Sequence, residues 1–346
     1  MKIVVAMSGG VDSSVVAGLM AREGHEVIGV TLQLYDHGAA VGRKGACCAG
    51  QDIHDAKRVA DRLGIAHYVV DSEARFKQSV ISAFADSYAG GQTPVPCIAC
   101  NQHLKFGDLL EMARDLGAEA LATGHYVRRL EGHDGAEMHK AVDEARDQSW
   151  FLFATTRDQL EFCRFPLGGY ASKAEVRAVA MEMGLAVADK PDSQDICFVP
   201  AGTYADIVEK YRPDALAPGE IVTEDGAVLG EHQGIARYTI GQAKRLPNEA
   251  AHMVVKKIEP GTRRIVVGPR GVQSTAVKLR DVNWLVEPGE LRAGVKLRAR
   301  DNLHQAQITP QGSGAVLRLD EPALAAPGQA AVFYDGSRIL GGGFIV

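Results

Sequence analysis

Long hydrophobic runs are absent from this chain of 346 residues. A membrane-spanning helix needs about 20 mainly apolar residues in succession, so none is expected. The first residues, MKIVVAMSGG, also lack the longer apolar segment and the small-residue cleavage site of a secretory signal. We therefore expect a cytoplasmic protein with no membrane association.

Cysteine and net positive charge are also scarce. The six cysteines are too few for a disulfide scaffold, and in a cytoplasmic chain we expect reduced thiols, catalytic groups or metal ligands. The formal net charge is -5 at pH 7. This excludes a generally basic nucleic-acid binder, so any contact with RNA depends on local basic patches.

Strand and helix patterns alternate through the first two hundred residues. Strand-like runs at 2–7, 27–34, 66–70 and 118–122 are separated by helical patterns at 13–23, 51–63, 74–89 and 103–116. This alternation predicts an α/β fold with a doubly wound parallel sheet, whose ligands bind at the carboxyl ends of the strands.

The pattern changes after about residue 205, where helical periodicity fades and short β-rich runs alternate with turns. We expect a catalytic domain over residues 1–205. A small central β-rich domain over 206–275 and a C-terminal β-barrel domain over 276–346 would follow it.

The segment SGGVDSS, residues 8–14, joins the first predicted strand to the first predicted helix. Its two glycines permit unusual backbone conformations, and the N–H groups that follow form an anion-binding nest at the helix N-terminus. A plain turn with a helix cap is the simpler interpretation, but the strand–loop–helix context favours phosphate. The side chains expected to assist are those of Ser8, Ser13 and Ser14, with Asp12 helping to hold Mg²⁺.

This loop resembles the PP-loop of the ATP pyrophosphatase superfamily, which has an adenine nucleotide α-hydrolase-like fold. The resemblance implies ATP and Mg²⁺ as cofactors and the adenylation of an oxygen atom. Amide-forming synthetases and tRNA thiolases share the loop, so it indicates the activation chemistry but not the substrate.

Two cysteine-containing segments narrow the choice. In TPVPCIACNQHLKF, residues 93–106, Cys100 is expected just before a helix that Asn101 caps, where the helix N-terminus would lower the thiol pKa. In DKPDSQDICFVP, residues 189–200, Cys197 follows a polar turn. A lone cysteine is most often a small buried hydrophobe, and Cys163 is interpreted in this way.

Together with SGGVDSS, these segments resemble the bacterial tRNA-specific 2-thiouridylase family, and the similarity runs nearly from end to end. The further matching segments are TGHYVRR at 123–129, DQSWFLF at 147–153, FPLG at 165–168, GEHQGIARYTIGQ at 230–242, and PGQAAVFYDG near the C-terminus.

The resemblance implies a transferase that makes 2-thiouridine. Cys197 would carry a persulfide received from a sulfur relay protein fed by a cysteine desulfurase, and Cys100 would attack it to form a transient disulfide. The released sulfur would replace the adenylated C2 oxygen of the wobble uridine in tRNAs for Glu, Gln and Lys, with AMP and pyrophosphate released. A monomer is expected. The implied ATP contacts are Ala6, Met7, Ser8, Gly9, Gly10, Val11, Asp12, Ser13, Leu32 and Gly124.

Cys97 departs from the family pattern, because many members have a proposed general-base Asp at this site. Whether the Cys97 thiolate replaces that base, or no base is needed, stays open. Cys97 and Cys100 also form a C-x-x-C. With Cys197 they offer three ligands for an iron–sulfur cluster with one open iron site, or for zinc, as an alternative to disulfide chemistry.

The resemblance also implies contacts with tRNA at Val95, Pro96, Cys97, His125, Arg146, Asp147, Gln148 and Gln329. Arg128 and Arg129 would extend the basic edge beside His125. The alternation in KLRAR, residues 296–300, predicts a strand with Lys296, Arg298 and Arg300 on one face, which is either solvated or in contact with RNA phosphates.

Two other functions stay open at this stage. One is a PP-loop enzyme that adenylates a small molecule, but such chemistry does not need Cys100 and Cys197. The other is a non-catalytic RNA-binding or sulfur-carrier protein, which the intact loop with Ser8 and Asp12 argues against.

Overall fold

The computed structural model describes residues 1–35, 48–191, 196–199, 203–271 and 274–346. Two compact units divide the chain. The first contains Met1–Ser79, Cys97–Pro200 and Gly336–Ile339, and the second contains Val80–Pro96, Ala201–Asp335 and Leu340–Val346. Cys47 lies outside the described residues. No helix among the described residues is long and apolar enough to cross a membrane.

The first unit is built on a five-stranded parallel sheet in the order β3-β2-β1-β4-β7. Its strands are β1 (Lys2–Ala6), β2 (Glu26–Gln33), β3 (Ala66–Asp71), β4 (Ala120–Ala122) and β7 (Cys163–Arg164). The strand order reverses between β1 and β4, and ligands of open α/β sheets bind at such a switch point. The predicted doubly wound parallel sheet is confirmed.

Helices accompany the sheet. Along the chain, a β5–β6 hairpin follows β4 and precedes β7. Val15, Val16 and Ala17 of α1 are fully buried in the core with Ile3 and Val5 of β1. The bounds are α1 (Val11–Arg22), α2 (Cys48–Leu63), α3 (Glu73–Phe76), α4 (Ala83–Ala89), α5 (Pro96–Cys100), α6 (Leu109–Asp115), β5 (Val127–Gly132), β6 (Gly135–Lys140), α7 (Arg157–Phe162) and α8 (Lys173–Glu182). Of these, α4 belongs to the second unit. Residues Lys77–Ser82 and Asn101–Asp108 are π-helical, and Ser149–Leu152 and Pro166–Gly169 are 3₁₀.

The helix that carries Cys100 begins earlier than predicted. It runs without a break from Pro96 through the π-helical residues into α6, so the prediction of a start near residue 103 was wrong. Proline suits the first helical position, and the wholly buried Ile98 anchors the first turn. Cys100 is therefore inside the helix and Asn101 is not its cap.

The second unit contains a four-stranded sheet in the order β10-β11-β8-β9. Its strands are β8 (Gly219–Thr223), β9 (Val228–His232), β10 (Met253–Glu259) and β11 (Arg264–Pro269). One helix, α9 (Tyr204–Tyr211), departs from the expected β-rich pattern after residue 205. A capping box between Thr203 and Asp206 starts it, and its buried face includes Val208. Three short 3₁₀ turns are Pro213–Leu216, Ile235–Arg237 and Asn248–Ala250.

Six antiparallel strands form a closed barrel in the order β12-β15-β14-β13-β16-β17, with β12 paired to β17. They are β12 (Ser274–Trp284), β13 (Leu291–Lys296), β14 (His304–Gln311), β15 (Gly314–Ala323), β16 (Ala330–Asp335) and β17 (Arg338–Ile345). Alternate residues such as Val295, Leu317 and Phe333 are fully buried in its core. The predicted β-barrel is confirmed.

The prediction for KLRAR was wrong in one respect. Strand β13 ends at Lys296, and Arg298 and Arg300 lie in the bend and turn that follow. Leu297 is buried while its neighbour Arg298 is exposed, which produces the alternation without an extended strand. The two arginines do not share a strand face with Lys296.

Candidate active site

The SGGVDSS loop leaves the carboxyl end of β1 and enters α1 at a sharp turn. Gly9 has φ 73°, and a Cβ placed there would lie 2.1 Å from the carbonyl oxygen of Asp52 on α2. Only glycine tolerates both the left-handed backbone and this close approach. Gly10 precedes the first residue of the twelve-residue helix α1, and anion binding by the N-terminal N–H groups of this helix stays a prediction.

The hydroxyls of the loop help to fix its shape. Ser13 Oγ accepts from the Ser8 backbone N–H at 3.1 Å and donates to the Gly10 carbonyl oxygen at 3.2 Å. Ser14 Oγ donates to the same carbonyl at 2.8 Å. Ser13 and Ser14 are buried, whereas Ser8 is exposed. Ser8 is therefore the hydroxyl of the three that faces solvent.

Asp12 is engaged in the structure. Lys173 Nζ lies 2.7 Å from each of its carboxylate oxygens, and the Tyr126 hydroxyl donates to Oδ1 at 2.7 Å. Lys173 is the first residue of α8 and is 9% exposed. These two residues, which sequence reasoning missed, join the loop to α8 and to the start of the β5–β6 hairpin.

A second lysine holds the other side of the loop. Lys190 Nζ donates to the Gly9 carbonyl oxygen at 3.0 Å and contacts Asp52 and Asp55 of α2 at 2.7 Å each. Burial alone would raise the pKa of Asp55, but hydrogen bonds from Lys190 and Gln51 hold that pKa below its usual value. Burial likewise opposes the charge on Lys190, yet the two carboxylates raise its pKa overall. Lys190 and the two carboxylates therefore join the loop to α2 through ion pairs.

The remaining predicted ATP contacts surround the loop. Gly124 packs directly on it, since a Cβ there would lie 3.0 Å from the Ser13 nitrogen. Met7 is buried and exchanges hydrogen bonds with β2 through Val30 and Thr31. Leu32 is half-buried near the carboxyl end of β2, while Ala6 ends β1 and Val11 is buried at the start of α1. Their contacts with ATP stay predictions.

Three thiols lie within electrostatic reach of one another in the same unit. Cys97 and Cys100 are three residues apart on α5 and share a helix face. Cys100 is buried, while Cys97 and Cys197 are exposed residues. The carbonyl oxygen of Cys197 accepts a hydrogen bond from the Tyr35 hydroxyl, which fixes the backbone at this thiol.

Aromatic packing supports the Cys197 segment. Tyr35 stacks on Phe76 with ring centroids 5.9 Å apart, and Phe76 meets Phe198 edge-on at 5.8 Å. Phe76 and Phe198 are both buried. Cys197 is thus an exposed residue on a backbone that its neighbours hold in place.

The surroundings of the three thiols favour their protonated form. Although Cys97 and Cys197 are exposed as whole residues, surrounding protein atoms desolvate their thiol groups as well as that of Cys100. This desolvation raises the pKa of Cys97 and Cys100, and it raises that of Cys197 to about 12, where the neighbouring Cys100 and Cys97 add to the effect. The expectation that a helix N-terminus lowers the Cys100 pKa was wrong, because Cys100 is buried inside the helix. The positive charge of Lys105 opposes burial at all three thiols. Lys105 follows Cys100 by five residues, and only its basic character in HLKF could have indicated it.

His125 is next to this lysine. Its Nε2 lies 3.4 Å from Lys105 Nζ, and its Nδ1 lies 2.8 Å from Thr123 Oγ1. Burial and the Lys105 charge lower the His125 pKa well below its ordinary value. The lowered pKa favours the neutral imidazole beside the Lys105 ammonium. Contact between His125 and tRNA stays a prediction.

Among the residues that the structure describes, no group of three His, Cys, Asp or Glu side chains is arranged to hold a metal ion. Cys97, Cys100 and Cys197 have the donor chemistry for a cluster but not its geometry as they are placed.

Several predicted RNA contacts have partners within the chain. Gln148 Oε1 accepts from the Tyr126 backbone N–H at 2.9 Å, and Asp147 accepts from the Ser149 hydroxyl at 2.7 Å. Arg129 is ion-paired to Glu131 and Glu161, so it does not extend a free basic edge. Arg128 donates to the Lys140 carbonyl oxygen, and Arg146 is half-buried.

The second unit holds the other predicted RNA contacts. Gln329 Nε2 donates to the Thr93 carbonyl oxygen at 3.0 Å, just before Val95 and Pro96 in the chain. Arg298 and Arg300 are exposed, and Arg298 lies 3.5 Å from Asp301.

Three family models match successive parts of the chain. Residues 1–201 match the family described as the tRNA methyl transferase HUP domain. Residues 205–269 match the tRNA methyl transferase PRC-barrel domain, and residues 274–345 match the aminomethyltransferase beta-barrel domain.

Whole-chain relatives then identify the family. The chain is 70% identical to the tRNA-specific 2-thiouridylase MnmA of Acidiphilium cryptum over 100% of both chains. It is 62% identical to the protein of the same name from Gluconobacter oxydans, over 100% of this chain and 99% of that one. The chain belongs to the tRNA-specific 2-thiouridylase family.

Solved structures overlap it only in part. A 4-thiouridine synthetase–RNA complex with bound ATP has a TM-score of 0.35 and 18% identity, over 62% of this chain and 50% of that one. An NMN synthetase from Francisella tularensis has the same TM-score and identity, over 60% of this chain and 75% of that one. At these scores the likeness says nothing about function.

Proposed function

We propose that this protein is an ATP-dependent tRNA 2-thiouridylase that acts as a cytoplasmic monomer on the wobble uridine of tRNAs for Glu, Gln and Lys. One observation carries the proposal: the same unit holds the strand–loop–helix turn that is predicted to bind phosphate and three thiols in electrostatic reach of one another. Family membership over the full length supports it. Adenylation of a small molecule would leave the thiols without a role.

The names of the family models and of the relatives differ, since the former mention methyl transfer and the latter thiolation. The thiols favour sulfur. Cys97 and Cys100 share one helix face, and both lie near enough to Cys197 to raise the pKa of its thiol. Methyl transfer does not require such a group of thiols, whereas thiol–disulfide exchange does.

In the first step, the C2 oxygen of the uridine attacks the α-phosphate of ATP and pyrophosphate leaves. Residues 6–13, with Leu32 and Gly124, would bind ATP, and Mg²⁺ would accompany the phosphates. The loop is already shaped for this step, because Lys190 and the internal serine hydrogen bonds hold it. Preorganised N–H groups stabilise the developing charge without further rearrangement.

In the second step, Cys197 carries a persulfide supplied by a sulfur relay protein. The Cys100 thiolate attacks the Cys197 Sγ, so the S–S bond of the persulfide breaks, a Cys100–Cys197 disulfide forms and hydrosulfide leaves. Hydrosulfide attacks C2 of the adenylated uridine and AMP departs. An external thiol then reduces the disulfide to restore the enzyme.

Proton transfer is the difficult part of this step, because burial raises the pKa of Cys100. The Lys105 ammonium supplies positive charge that favours the thiolate. Cys97 is a third thiol beside the attacking one, in place of a carboxylate. It is placed to accept the proton only as a thiolate, which its own raised pKa disfavours.

The cluster alternative is tested separately. After anaerobic purification, iron and zinc are measured against protein concentration. The disulfide route predicts both metals well below one per chain. Stoichiometric iron that depends on Cys97, Cys100 and Cys197 would contradict it.

The function is tested in one reaction with unmodified tRNA for Glu, ATP, Mg²⁺ and sulfide. Nucleosides are identified by mass spectrometry and AMP is counted. We expect 2-thiouridine and AMP in equal amounts from the wild-type protein. A persulfide donor in place of sulfide makes the reaction dependent on Cys100 and Cys197.

Cys163→Ala is the matched control for Cys100→Ser and Cys197→Ser. Cys163 is completely buried in β7, so its loss should lower stability but leave the chemistry intact. AMP without thiouridine would show that the enzyme adenylates its substrate and that the sulfur supply is what fails. Neither product, with ATP and tRNA both bound, would contradict the proposal.

A further inference from the structure

The segment GEHQGIARYTIGQ, residues 230–242, has no part in the reaction described so far. It lies in the second unit and leads into a basic stretch of the chain. Residues 235–270 contain eight lysines and arginines against two acidic residues, in a protein whose net charge is -5. A local basic region in an acidic protein is the kind of surface that a polyanion would bind.

Two arginines of this stretch have an unusual backbone conformation. Arg245 has φ 66° and Arg263 has φ 54°, and Asp281 is the other non-glycine residue with a positive φ in the described part of the chain. Aspartate adopts this left-handed conformation more readily than most residues, and glycine is the usual choice for it. Such strain persists only where the surrounding structure holds it, and it is concentrated at functional sites.

Tyr238 holds the first of these arginines. Its buried side chain donates a hydrogen bond from the hydroxyl to the Arg245 carbonyl oxygen at 3.0 Å. The Arg245 guanidinium in turn donates to the Arg237 carbonyl oxygen at 3.4 Å. Burial raises the pKa of Tyr238 while the charges of Arg245 and Arg237 oppose the rise, so both guanidinium groups lie near the phenol.

His232 holds the second arginine. The Gly234 N–H donates to His232 Nδ1 at 3.0 Å, so Nε2 carries the proton and donates to the Arg263 carbonyl oxygen at 3.0 Å. A Cβ at Gly219 would lie 1.9 Å from the same oxygen, so the backbone of β8 also confines it. The rings of His232 and Tyr238 are 5.6 Å apart. Two buried side chains of one segment therefore hold both left-handed arginines in the same part of the unit.

The side chains of these arginines are available to a ligand. Arg245 and Arg263 are exposed, and neither forms an ion pair with another residue that the structure describes. An RNA backbone presents one charge at every nucleotide, so two fixed guanidinium groups can each meet a phosphate. An acidic protein would have to place carboxylates at the same two positions.

We propose that Arg245 and Arg263 bind phosphates of the tRNA backbone, in left-handed conformations that Tyr238 and His232 hold. This inference rests on the proposed function, because it takes tRNA as the substrate. The strain of the two arginines is then explained by the binding of RNA, since glycine would fit the same backbone at lower cost but would supply no charge.

The test is tRNA binding by fluorescence anisotropy over a salt series, with the double variant Arg245→Gly and Arg263→Gly. Glycine keeps the left-handed backbone, so the unfolding temperature should stay equal or rise. The affinity at about 0.1 M salt should fall by roughly 10- to 60-fold and the log–log slope by up to about 1.8, since each neutralised phosphate contributes about 0.9. An unchanged slope, or a marked fall in the unfolding temperature, would overturn the proposal.

The double variant Lys257→Gln and Arg264→Gln is the matched control. It removes the same charge from the same sheet, but Lys257 pairs with Glu259 at 2.7 Å and Arg264 with Glu220 at 2.9 Å. Its slope should stay close to that of the wild type. An equal reduction in both double variants would assign the effect to the overall charge and overturn the inference.

Two further measurements identify the ligand. Lysine at positions 245 and 263 keeps the charge, so Arg245→Lys with Arg263→Lys should retain most of the slope. If the glycine variant loses binding to poly-L-glutamate but keeps its tRNA affinity, the surface belongs to an acidic protein and the proposal fails. Failure of the wild-type protein to bind tRNA at all would instead count against the proposed function.

Discussion

The nucleotide loop and the thiol group are built in opposite ways. The loop has its serines, its carbonyls and Asp12 in hydrogen bonds, and Gly9 and Gly124 pack against neighbouring backbone atoms. The raised pKa of each thiol favours its protonated form, and Lys105 supplies positive charge against the effect of desolvation. Phosphate binding needs a fixed arrangement, whereas sulfur transfer needs reactivity that appears only when a persulfide is present. The nucleotide loop is therefore already fixed in shape, whereas the thiols become reactive only when a persulfide is present.

The largest effect should follow from Gly9→Ala, which disrupts the nucleotide loop. The added Cβ would lie 2.1 Å from the Asp52 carbonyl oxygen at a φ of 73°. We expect ATP binding to be abolished and stability to fall by about 1 to 3 kcal/mol. Calorimetry and thermal unfolding measure the two quantities.

Gly64→Ala is the control for that change. Gly64 has φ 68°, but nothing lies within 4 Å of the added Cβ. It shares the backbone strain without the clash, so ATP should still bind. Loss of ATP binding in both variants would mean that the close approach to Asp52 is irrelevant.

Lys105→Met tests whether the charge of Lys105 controls the pKa of the three thiols. Lys105 lowers the pKa of the three thiols, so its loss should raise their pKa and shift the pH profile of alkylation upward by on the order of one unit. At a fixed pH, less thiolate is present and alkylation is slower. The rate at each cysteine is followed by peptide mass spectrometry with iodoacetamide.

Lys105→Arg keeps the charge and should retain the wild-type profile. A profile that stays in place for Lys105→Met, or shifts equally for the arginine variant, would show that charge at this position does not control the thiols.

The sequence predicted the parallel sheet, the loop and the barrel because each follows from a local pattern. It missed Tyr126, Lys173 and Lys190, since each is far along the chain from the loop residue that it contacts. It placed Cys100 at a helix start because the burial of Ile98, which extends the helix to Pro96, is a tertiary effect. The interpretation of Arg298 and Arg300 failed because a turn with one buried leucine imitates strand alternation. The three-domain division at residues 205 and 275 stays a prediction.

The double variant Arg298→Glu and Arg300→Glu tests a third region, the basic turn after β13, for binding to RNA phosphates. We expect weaker tRNA binding and a salt dependence reduced by up to about 2 in log–log slope, since each phosphate that the protein neutralises contributes about 0.9. Fluorescence anisotropy over a salt series measures it. Arg292→Glu, on an arginine that pairs with Asp320, is the control, and equal slopes in all three proteins would discard the basic turn as an RNA-binding element.

The smallest effect is expected for Arg22→Met at the far end of α1 from the loop. The pair with Glu182 is exposed, with side-chain exposures of 47% and 67%, so its loss should cost about 0.2 to 1 kcal/mol. Denaturant unfolding measures this. A destabilisation well above about 1 kcal/mol would show that this pair contributes more than its exposure implies.

A single turnover without reductant tests the central claim most directly. Persulfide-loaded protein is mixed with ATP, Mg²⁺ and tRNA for Glu, and thiouridine, AMP and cross-linked peptides are counted together. The reaction should give one thiouridine and one AMP for each new disulfide between Cys100 and Cys197. Thiouridine formed at full yield with both cysteines still reduced would contradict the proposed sulfur transfer.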